Sequence, residues 1–291
     1  MYKNKIISCA KKTDNFLRKY FNKEPNSVLL KPMKYGTLSG GKKIRSSIII
    51  NTGRLFDIKE KKLINICGAV ECIHSYSLIH DDLPCMDNDK IRRGKPSTHI
   101  KFGESTAILA GSSLLTLAFE MIADKKYLIK DKIKSELTKE LAFCSGHAGI
   151  AGGQELDLSF EKNKKNFNEI IDMQRKKTGK LFKFCCLSAG IVSNKNIKIK
   201  KELSLLGEEI GLLFQLADDF IDITSSAKLA GKTINKDKKK GKSTIIGLIG
   251  YKKAYNFSKK LKKSILKKLS KHGSKANDLI NTVEFILGRN F

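Results

Sequence analysis

The distribution of proline constrains the fold of this chain more than any other feature. Its four prolines are Pro25, Pro32, Pro84 and Pro96, so the last 195 residues contain none. Because proline interrupts helix interiors, its absence over such a length favours long helices. Apolar residues also recur at helical spacing, for example at Leu261, Ile265 and Leu269. We predict an all-α fold in which residues 1–291 form one large helical domain.

The longest apolar stretch, residues 107–123, predicts a buried core helix. It is short for a membrane span and contains polar residues, among them Ser112, Thr116 and Glu120. We place the connecting loops at residues 25–41, 83–103, 157–166, 192–199 and 225–243.

The net charge of +28 arises from 57 lysines and arginines against 29 acidic residues. Hydrophobic residues make up 41% of the chain, which is enough for a globular fold and argues against disorder. The composition excludes collagen-like and Pro/Gly-rich classes. One interpretation of the charge is a polyanionic partner: nucleic acid, an anionic membrane or a phosphorylated small molecule. The other is compositional bias, because only seven basic residues are arginine and the excess is spread along the chain.

The lysine-rich stretch 258–275 bears on the macromolecular partners. It contains no aromatic residue, whereas a nucleic-acid-binding surface interleaves aromatic and basic residues. Its apolar stripe is narrow for a membrane-bound helix. We therefore predict a solvated helix face, no nucleic-acid binding and no stable membrane association. A basic nucleic-acid-binding protein stays open as an alternative from a different functional class.

Cysteine usage indicates the compartment. The seven cysteines are odd in number, form no CxxC pair and mostly lie in apolar stretches. No Cys/His spacing suits zinc. The segment Met1–Lys12 has lysines but no continuous apolar run, so no signal peptide is apparent. These features predict a reduced, cytoplasmic protein.

The first of two aspartate clusters comprises Asp81, Asp82 and Asp87. It follows the apolar segment 64–79, and Pro84 predicts that the helix ends beside it. Carboxylates at a helix C-terminus are unfavourable unless a cation compensates them. By itself, such a cluster is better explained as a solvated helix end paired with lysines.

The second cluster is Asp218, Asp219 and Asp222. Asp218 and Asp222 are four residues apart and share a helix face, where like charges repel. Carboxylates without His or Cys neighbours select hard cations, above all Mg²⁺. Two such clusters, each on an apolar helix, favour Mg²⁺ ions that hold a diphosphate.

Basic residues accompany these clusters. The segment Gly40–Arg45 is a glycine turn that opens a helix, where backbone amides and fixed cations suit a phosphate. Arg92 and Arg93 follow the first aspartate cluster, and guanidinium groups bind phosphate in a bidentate manner. His74 lies on about the same helix face as Asp81. The sequence leaves open whether His74 binds a ligand or is a buried structural residue.

The segment Glu71–Pro84, with Met86-Asp87 and Arg92-Arg93-Gly94, resembles trans-isoprenyl diphosphate synthases, most of all their bacterial farnesyl type. The resemblance runs from about Lys31 to Thr244. Further motifs match in order: Gly40-Gly41-Lys42 with Arg45, Gly152-Gly153-Gln154 with Asp157, Lys177-Thr178-Gly179, Phe214-Gln215, Gly231-Lys232 and Gly241-Lys242-Ser243-Thr244. The resemblance implies a helical bundle of the isoprenoid synthase type with a central active-site cavity.

The resemblance also implies a role for each matching residue. The two aspartate motifs are implied to bind three Mg²⁺ ions, with Asp81, Asp87 and Asp218 as metal ligands. Isopentenyl diphosphate is implied to bind Lys42, Arg45, His74 and Arg93. The allylic diphosphate is implied to bind Arg92, Lys177, Thr178, Gln215 and Lys232, with Lys242 near the diphosphates. Catalysis is implied for Asp81, Asp82, Asp87, Asp218, Lys177, Thr178 and Gln215, and the oxygens of Thr178 and Gln215 are implied to face a carbocation.

The implied activity is head-to-tail (1′-4) condensation of isopentenyl diphosphate with dimethylallyl and geranyl diphosphate, giving farnesyl diphosphate in a homodimeric enzyme. In the family, a bulky aromatic at the position of Tyr76 acts as a floor and favours the C15 product, and its neighbour Ser77 is small. A geranylgeranyl diphosphate synthase stays open as an alternative. A terpene cyclase is disfavoured, because it would typically have only one aspartate-rich motif of this kind.

Overall fold

The computed structural model describes residues 2–160, 165–230 and 244–288, and these parts are almost entirely helical. The α-helices are α1 (Tyr2–Phe21), α2 (Leu30–Leu38), α3 (Ile44–Arg54), α4 (Ile64–Asp81), α5 (Thr98–Phe102), α6 (Glu104–Ala123), α7 (Asp131–Ser145), α8 (Ile150–Phe160), α9 (Phe167–Gln174), α10 (Lys180–Val192), α11 (Ile197–Ala230), α12 (Ile245–Ile249), α13 (Tyr251–Ser270) and α14 (Asn277–Leu287). An antiparallel hairpin pairs β1 (Ile91–Arg92) with β2 (Lys95–Pro96). Arg175–Gly179 is π-helical, and Glu60–Lys62 and Gly273–Ala276 are short 3₁₀ turns.

The all-α prediction is confirmed, but several predicted loops are partly wrong. Helix α2 occupies most of the predicted loop 25–41. Pro32 is compatible with it because it lies in the first turn, where backbone N–H groups lack helical partners. The predicted loop 83–103 contains the hairpin and α5, and α8 extends into 157–166. Helix α11 continues to Ala230, and the rest of the predicted loop 225–243 lies outside the described residues.

The chain divides into two compact units, Met1–Leu141 with Ser188–Asn194, and Ala142–Leu187 with Lys195–Phe291. The prediction of one domain stays a prediction. In the first unit, α4 packs against α1, α2, α3 and α6. Its buried residues occupy every side of the helix, from Ile66 to Ile79. A helix that is apolar all round is a core helix, so α4 carries the first acidic cluster on a rigid support.

Helix α6 confirms the predicted core helix at 107–123. Its buried side, which includes Ala110, Leu114 and Ala118, belongs to the core of the first unit, where α6 packs on α4. Among the described helices it alone is long and apolar enough to cross a membrane, by length and composition only. Its opposite side differs from the prediction, since Ile108 and Leu109 are 44% and 55% exposed.

The second unit is organised around the 34-residue helix α11. Helices α9, α12, α13 and α14 and the π-helical segment all pack against α11. Its core includes Phe160, Ile171, Leu216 and Phe220. The central helix therefore places the second acidic cluster within a packed unit.

The cysteines are all free, as the sequence predicts. The five that lie in apolar stretches are buried, whereas Cys85, beside the first acidic cluster, is exposed. They serve as small hydrophobic residues in the core.

Candidate active site

The first acidic cluster lies on a compact loop after α4. Asp81 is the last residue of the helix, as Pro84 predicts. The backbone then folds back, so that Asp87 N donates to Asp81 O at 2.8 Å and Asp89 N donates to Asp82 O at 3.1 Å. Asn88 takes the left-handed conformation that this reversal needs, with φ 52°, which asparagine tolerates well. The loop thus brings the backbones of Asp81 and Asp87 within hydrogen-bonding distance of each other.

Asp82 is paired with an arginine inside this loop. It is only 2% exposed, and Arg92 Nε donates to its Oδ1 at 3.0 Å while Arg92 Nη2 donates to the same carboxylate. Burial raises the pKa of Asp82, and the guanidinium of Arg92 opposes that rise. The sequence predicted separate roles for these residues and missed their contact, which holds Arg92 beside the acidic loop.

The basic turn Gly40–Arg45 approaches the β-hairpin closely. Arg93 Nη1 donates to Gly40 O. A Cβ on Gly41 would lie only 2.8 Å from Arg93 Cζ, and Gly41 has φ +104°. The backbone angle therefore requires glycine here, whereas the close approach would only require the guanidinium of Arg93 to shift. Arg93 itself has φ 53° and Gly94 has φ 73°, the positive pair expected of a two-residue type I′ hairpin turn.

His74 lies on α4 beside the cations of this turn. Its pKa is well below the ordinary value of 6.5, first because of burial and then because Arg45 and Arg93 repel a further positive charge. The imidazole is therefore neutral near pH 7. The structure thus brings His74, Arg45 and Arg93 into one electrostatic environment, and Lys42 lies exposed at the start of the same turn.

Tyr76 lies one turn of α4 before His80, and the two rings meet edge to face with centroids 5.2 Å apart. Burial and the nearby carboxylate of Asp81 raise the pKa of Tyr76. Ser77 is half-buried, and its hydroxyl donates to His74 O at 3.0 Å. Tyr76, the large side chain predicted to limit product length, is therefore close enough to Asp81 for the carboxylate to affect its pKa.

A chain of polar side chains supports the second acidic cluster. Thr178 Oγ1 donates to Gln215 Oε1 at 2.9 Å, and Gln215 Nε2 donates to Asp219 Oδ1 at 2.9 Å. Gln174 Nε2 donates to the other oxygen of Asp219 at 3.3 Å. Asp219 is buried, which raises its pKa to about 7. Asp218 is half-buried by comparison.

Lys177 belongs to the π-helical segment and donates to Asp157 Oδ2 of α8 at 2.6 Å. A Cβ on Gly153 would lie only 2.1 Å from Lys177 N, so glycine lets α8 approach the segment. Single π-helical turns are frequent at functional sites. Lys232 and Lys242 lie outside the described residues.

The donors present suit Mg²⁺. In the described parts of the chain, no three His, Cys, Asp or Glu side chains converge into a ready-made metal cage. Magnesium is usually bound through one or two carboxylates together with waters and substrate phosphates, and not by an all-protein cage. The half-buried carboxylates of Asp81, Asp87 and Asp218 offer those hard oxygen donors.

Comparison with known proteins identifies the family. The model of the polyprenyl synthetase family matches residues 26–283. The chain belongs to that family. A solved relative of this polyprenyl synthetase, described as an FPP/GFPP synthase from Zymomonas mobilis, has a TM-score of 0.88 and is 34% identical, over 99% of both chains. The all-α isoprenoid synthase fold implied by the motifs is thereby confirmed.

Three further relatives are informative. The farnesyl diphosphate synthase of Escherichia coli (strain K12) is 36% identical over 99% of both chains. Geranylgeranyl pyrophosphate synthase 4 of Arabidopsis thaliana is 40% identical over 89% of this chain and 70% of the relative. A geranyltransferase from Helicobacter pylori, solved with magnesium and isoprenyl diphosphate, has a TM-score of 0.83 and is 30% identical over 98% of this chain and 96% of its own. The chain is a prenyltransferase whose relatives make products of more than one length.

Proposed function

We propose that this polyprenyl synthetase condenses isopentenyl diphosphate head-to-tail (1′-4) with dimethylallyl and then geranyl diphosphate, giving farnesyl diphosphate. The observation that carries the proposal is that the chain has two aspartate motifs, each on a packed helix, and the basic turn Gly40–Arg45. Full-length similarity to the farnesyl diphosphate synthase of E. coli supports the same product.

In the first unit, Asp81 and Asp87 would hold Mg²⁺, and the bond from Asp82 keeps Arg92 poised to bind the allylic diphosphate. In the second unit, Asp218 would hold Mg²⁺ and Lys177 would bind an allylic diphosphate. Bound Mg²⁺ supplies positive charge that lowers the energy of a departing diphosphate. The cationic side chains add to this stabilisation, which is usually the largest catalytic contribution.

The reaction begins when the allylic C–O bond breaks and its electron pair leaves with the diphosphate. The oxygens of Thr178 and Gln215, ordered by their mutual hydrogen bond, stabilise the carbocation that remains. The double bond of isopentenyl diphosphate then attacks the cation through C4. A proton passes to the released diphosphate, so no side-chain base is required.

Lys42, Arg45, His74 and Arg93 bind isopentenyl diphosphate in this proposal. The low pKa of His74 makes it a neutral hydrogen-bond donor among cations, which adds no further repulsion to the site. Arg45 and Arg93 supply the charge that a diphosphate needs.

A geranylgeranyl product is the second candidate, because the Arabidopsis geranylgeranyl pyrophosphate synthase is 40% identical to this chain. Tyr76 favours the shorter product. Its ring is bulky, and it precedes Asp81 by five residues on α4, where a growing tail would meet it. We also propose that the enzyme is a cytoplasmic homodimer.

The deciding experiment is incubation with dimethylallyl and isopentenyl diphosphates and Mg²⁺, followed by separation of products by chain length. We expect C15 product with Mg²⁺ and none with EDTA. Asp87→Asn should lower kcat by about 100-fold or more, because removing one electrostatic group commonly costs that much. Asp131→Asn, a change of the same type on α7 at an almost fully exposed carboxylate, should leave kcat unchanged. Absence of Mg²⁺-dependent condensation would overturn the proposal.

A further inference from the structure

A buried lysine immediately before α3 has no role in the proposed reaction. Lys43 adopts the left-handed conformation, with φ 46° and ψ 48°. Gly40 and Gly41 take positive φ in the same turn without strain, but a residue with a side chain does not. Such conformations persist only where the surroundings hold them, and they cluster at functional sites.

The ammonium of Lys43 is surrounded by acceptors from three helices. Nζ donates to Thr37 O, at the end of α2, at 2.7 Å. It lies 3.7 Å from Glu71 Oε2 of α4 and 3.6 Å from Asp14 Oδ1 of α1. Glu71 also accepts a hydrogen bond from Ser46 Oγ, in the first turn of α3, at 2.8 Å. The turn is thereby attached to α1, α2 and α4 through one lysine.

Stability alone is a poor explanation for this pair. The side chains of Lys43 and Glu71 are each 2% exposed. The cost of removing two charges from water offsets much of their attraction, so buried ion pairs are a weak source of stability. The pair does, however, determine the backbone path of the turn Gly40–Arg45. Two residues on that path, Lys42 immediately before Lys43 and Arg45 two residues after it, are the proposed ligands of a diphosphate.

We propose that Lys43 and Glu71 are positioning residues: their buried ion pair holds the turn Gly40–Arg45 in the conformation that presents Lys42 and Arg45 to isopentenyl diphosphate. The inference rests on the proposed function, because it takes the diphosphate of that substrate as the ligand of the turn. A displacement of about 1 Å in a binding group can cost about 100-fold in rate, so a fixed turn has a large effect on function.

Lys43→Met tests the inference. We expect the KM for isopentenyl diphosphate to rise at least tenfold, while the KM for geranyl diphosphate changes less than twofold. Lys43→Arg keeps the charge and should restore most of the affinity. The matched control is the double variant Lys12→Met/Glu60→Gln, which removes an exposed ion pair of the same unit. That control should change neither KM.

The double variant Lys43→Met/Glu71→Gln separates positioning from stability. It leaves no uncompensated charge at position 71 and keeps an acceptor for Ser46. Asp14, which also lies near Lys43, keeps contact with water because its side chain is 23% exposed. The melting temperature of the double variant should therefore be close to that of the wild type. A raised KM for isopentenyl diphosphate in this stable protein supports positioning. Recovery of both the melting temperature and the KM shows that the pair only stabilises the fold and overturns the inference.

Calorimetric titration with isopentenyl diphosphate in the absence of Mg²⁺ distinguishes this inference from the proposed function. If the wild type binds the ligand at least tenfold more tightly than the double variant but forms no condensation product when assayed with Mg²⁺, the proposed function fails and the positioning role stands. Equal affinity of the two proteins overturns the positioning role, whatever their activity.

Discussion

At the scale of single residues, the side chains proposed to bind diphosphates are already held by other polar groups. Arg92 is bound to the buried carboxylate of Asp82, and Lys177 donates to Asp157 at 2.6 Å. Groups that are fixed before the ligand arrives need little reorganisation when charge develops on it. The carboxylates of Asp82 and Asp157 therefore fix the positions of these cations, in addition to any role in binding metal.

In the proposed reaction, the length of the product depends on Tyr76. Replacing it with alanine removes the ring five residues before Asp81, about 7.5 Å deeper along α4 at helical rise. We expect Tyr76→Ala to make C20 and longer products in place of C15, as measured by chromatography and mass spectrometry. Ser77→Ala changes little volume and should keep the C15 product. A Tyr76→Ala enzyme that still stops at C15 would contradict this role for the ring.

The protonation of His74 predicts a pH dependence of stability. Its pKa in the folded protein is well below 6.5, so below that pH the unfolded chain binds a proton that the folded chain does not. Stability from this residue is therefore complete above pH 6.5 and decreases as the pH falls towards the lower, folded-state pKa. Urea unfolding between pH 5 and 8 should show a smaller decrease at low pH for His74→Gln than for the wild type. His147→Gln, at an exposed histidine, is the control, and identical pH profiles of His74→Gln and wild type would contradict the prediction.

At the scale of secondary-structure elements, the π-helical segment Arg175–Gly179 is the most distinctive feature. It packs against α8, α9 and α11, and it carries Lys177 and Thr178. Glycine permits the contact with α8, since a Cβ on Gly153 would overlap the backbone of Lys177. The positions of Lys177 and Thr178 therefore depend on how closely α8 and the π-helical segment approach each other.

Gly153→Ala should disturb that approach. Its Cβ would lie 2.1 Å from Lys177 N, a backbone atom that cannot move aside freely. We expect a loss of about 1–3 kcal/mol in the free energy of urea unfolding, typical of overpacking, together with reduced activity. Gly179→Ala, in the same segment, is the control, because its Cβ would meet its nearest neighbour at an ordinary 3.6 Å. Equal stability of the two variants would show that the close approach is unimportant.

At the scale of the whole molecule, α6 leaves apolar side chains exposed. Ile108 and Leu109 lie on the side of α6 that faces away from the core of its unit, and Ile100 on α5 is also exposed. Clustered apolar residues on a surface mark interaction sites. This surface is where we expect the second copy of the proposed homodimer to bind.

The double variant Ile108→Glu/Leu109→Glu should convert the dimer into a monomer, because two carboxylates would be buried without partners. Light scattering coupled to size-exclusion chromatography measures the mass directly. Leu128→Glu, at a highly exposed leucine in a loop, should leave the mass unchanged. A dimer that persists in the double variant would assign its interface to another surface.

The helical class and some helix positions could be predicted from sequence, whereas several boundaries could not. The absence of proline correctly predicted the helices of the second unit, and Pro84 correctly predicted the end of α4. The loop expected at 25–41 is largely α2, since the first turn of a helix tolerates Pro32. Local composition determined where helices are favourable, but packing decided where they begin.

The sequence by itself determined the helical class, the family and the chemistry of the candidate ligands, because periodicity and motif spacing are local properties of the chain. Only the tertiary structure decided which polar groups meet. Gln174 and Asp219 are 45 residues apart, and Ser46 and Glu71 are 25 residues apart, yet each pair is joined by a hydrogen bond. Such contacts depend on which helices pack together and at what distance. The way the helices pack is set by the burial of the whole core, so these contacts cannot be read from any single motif.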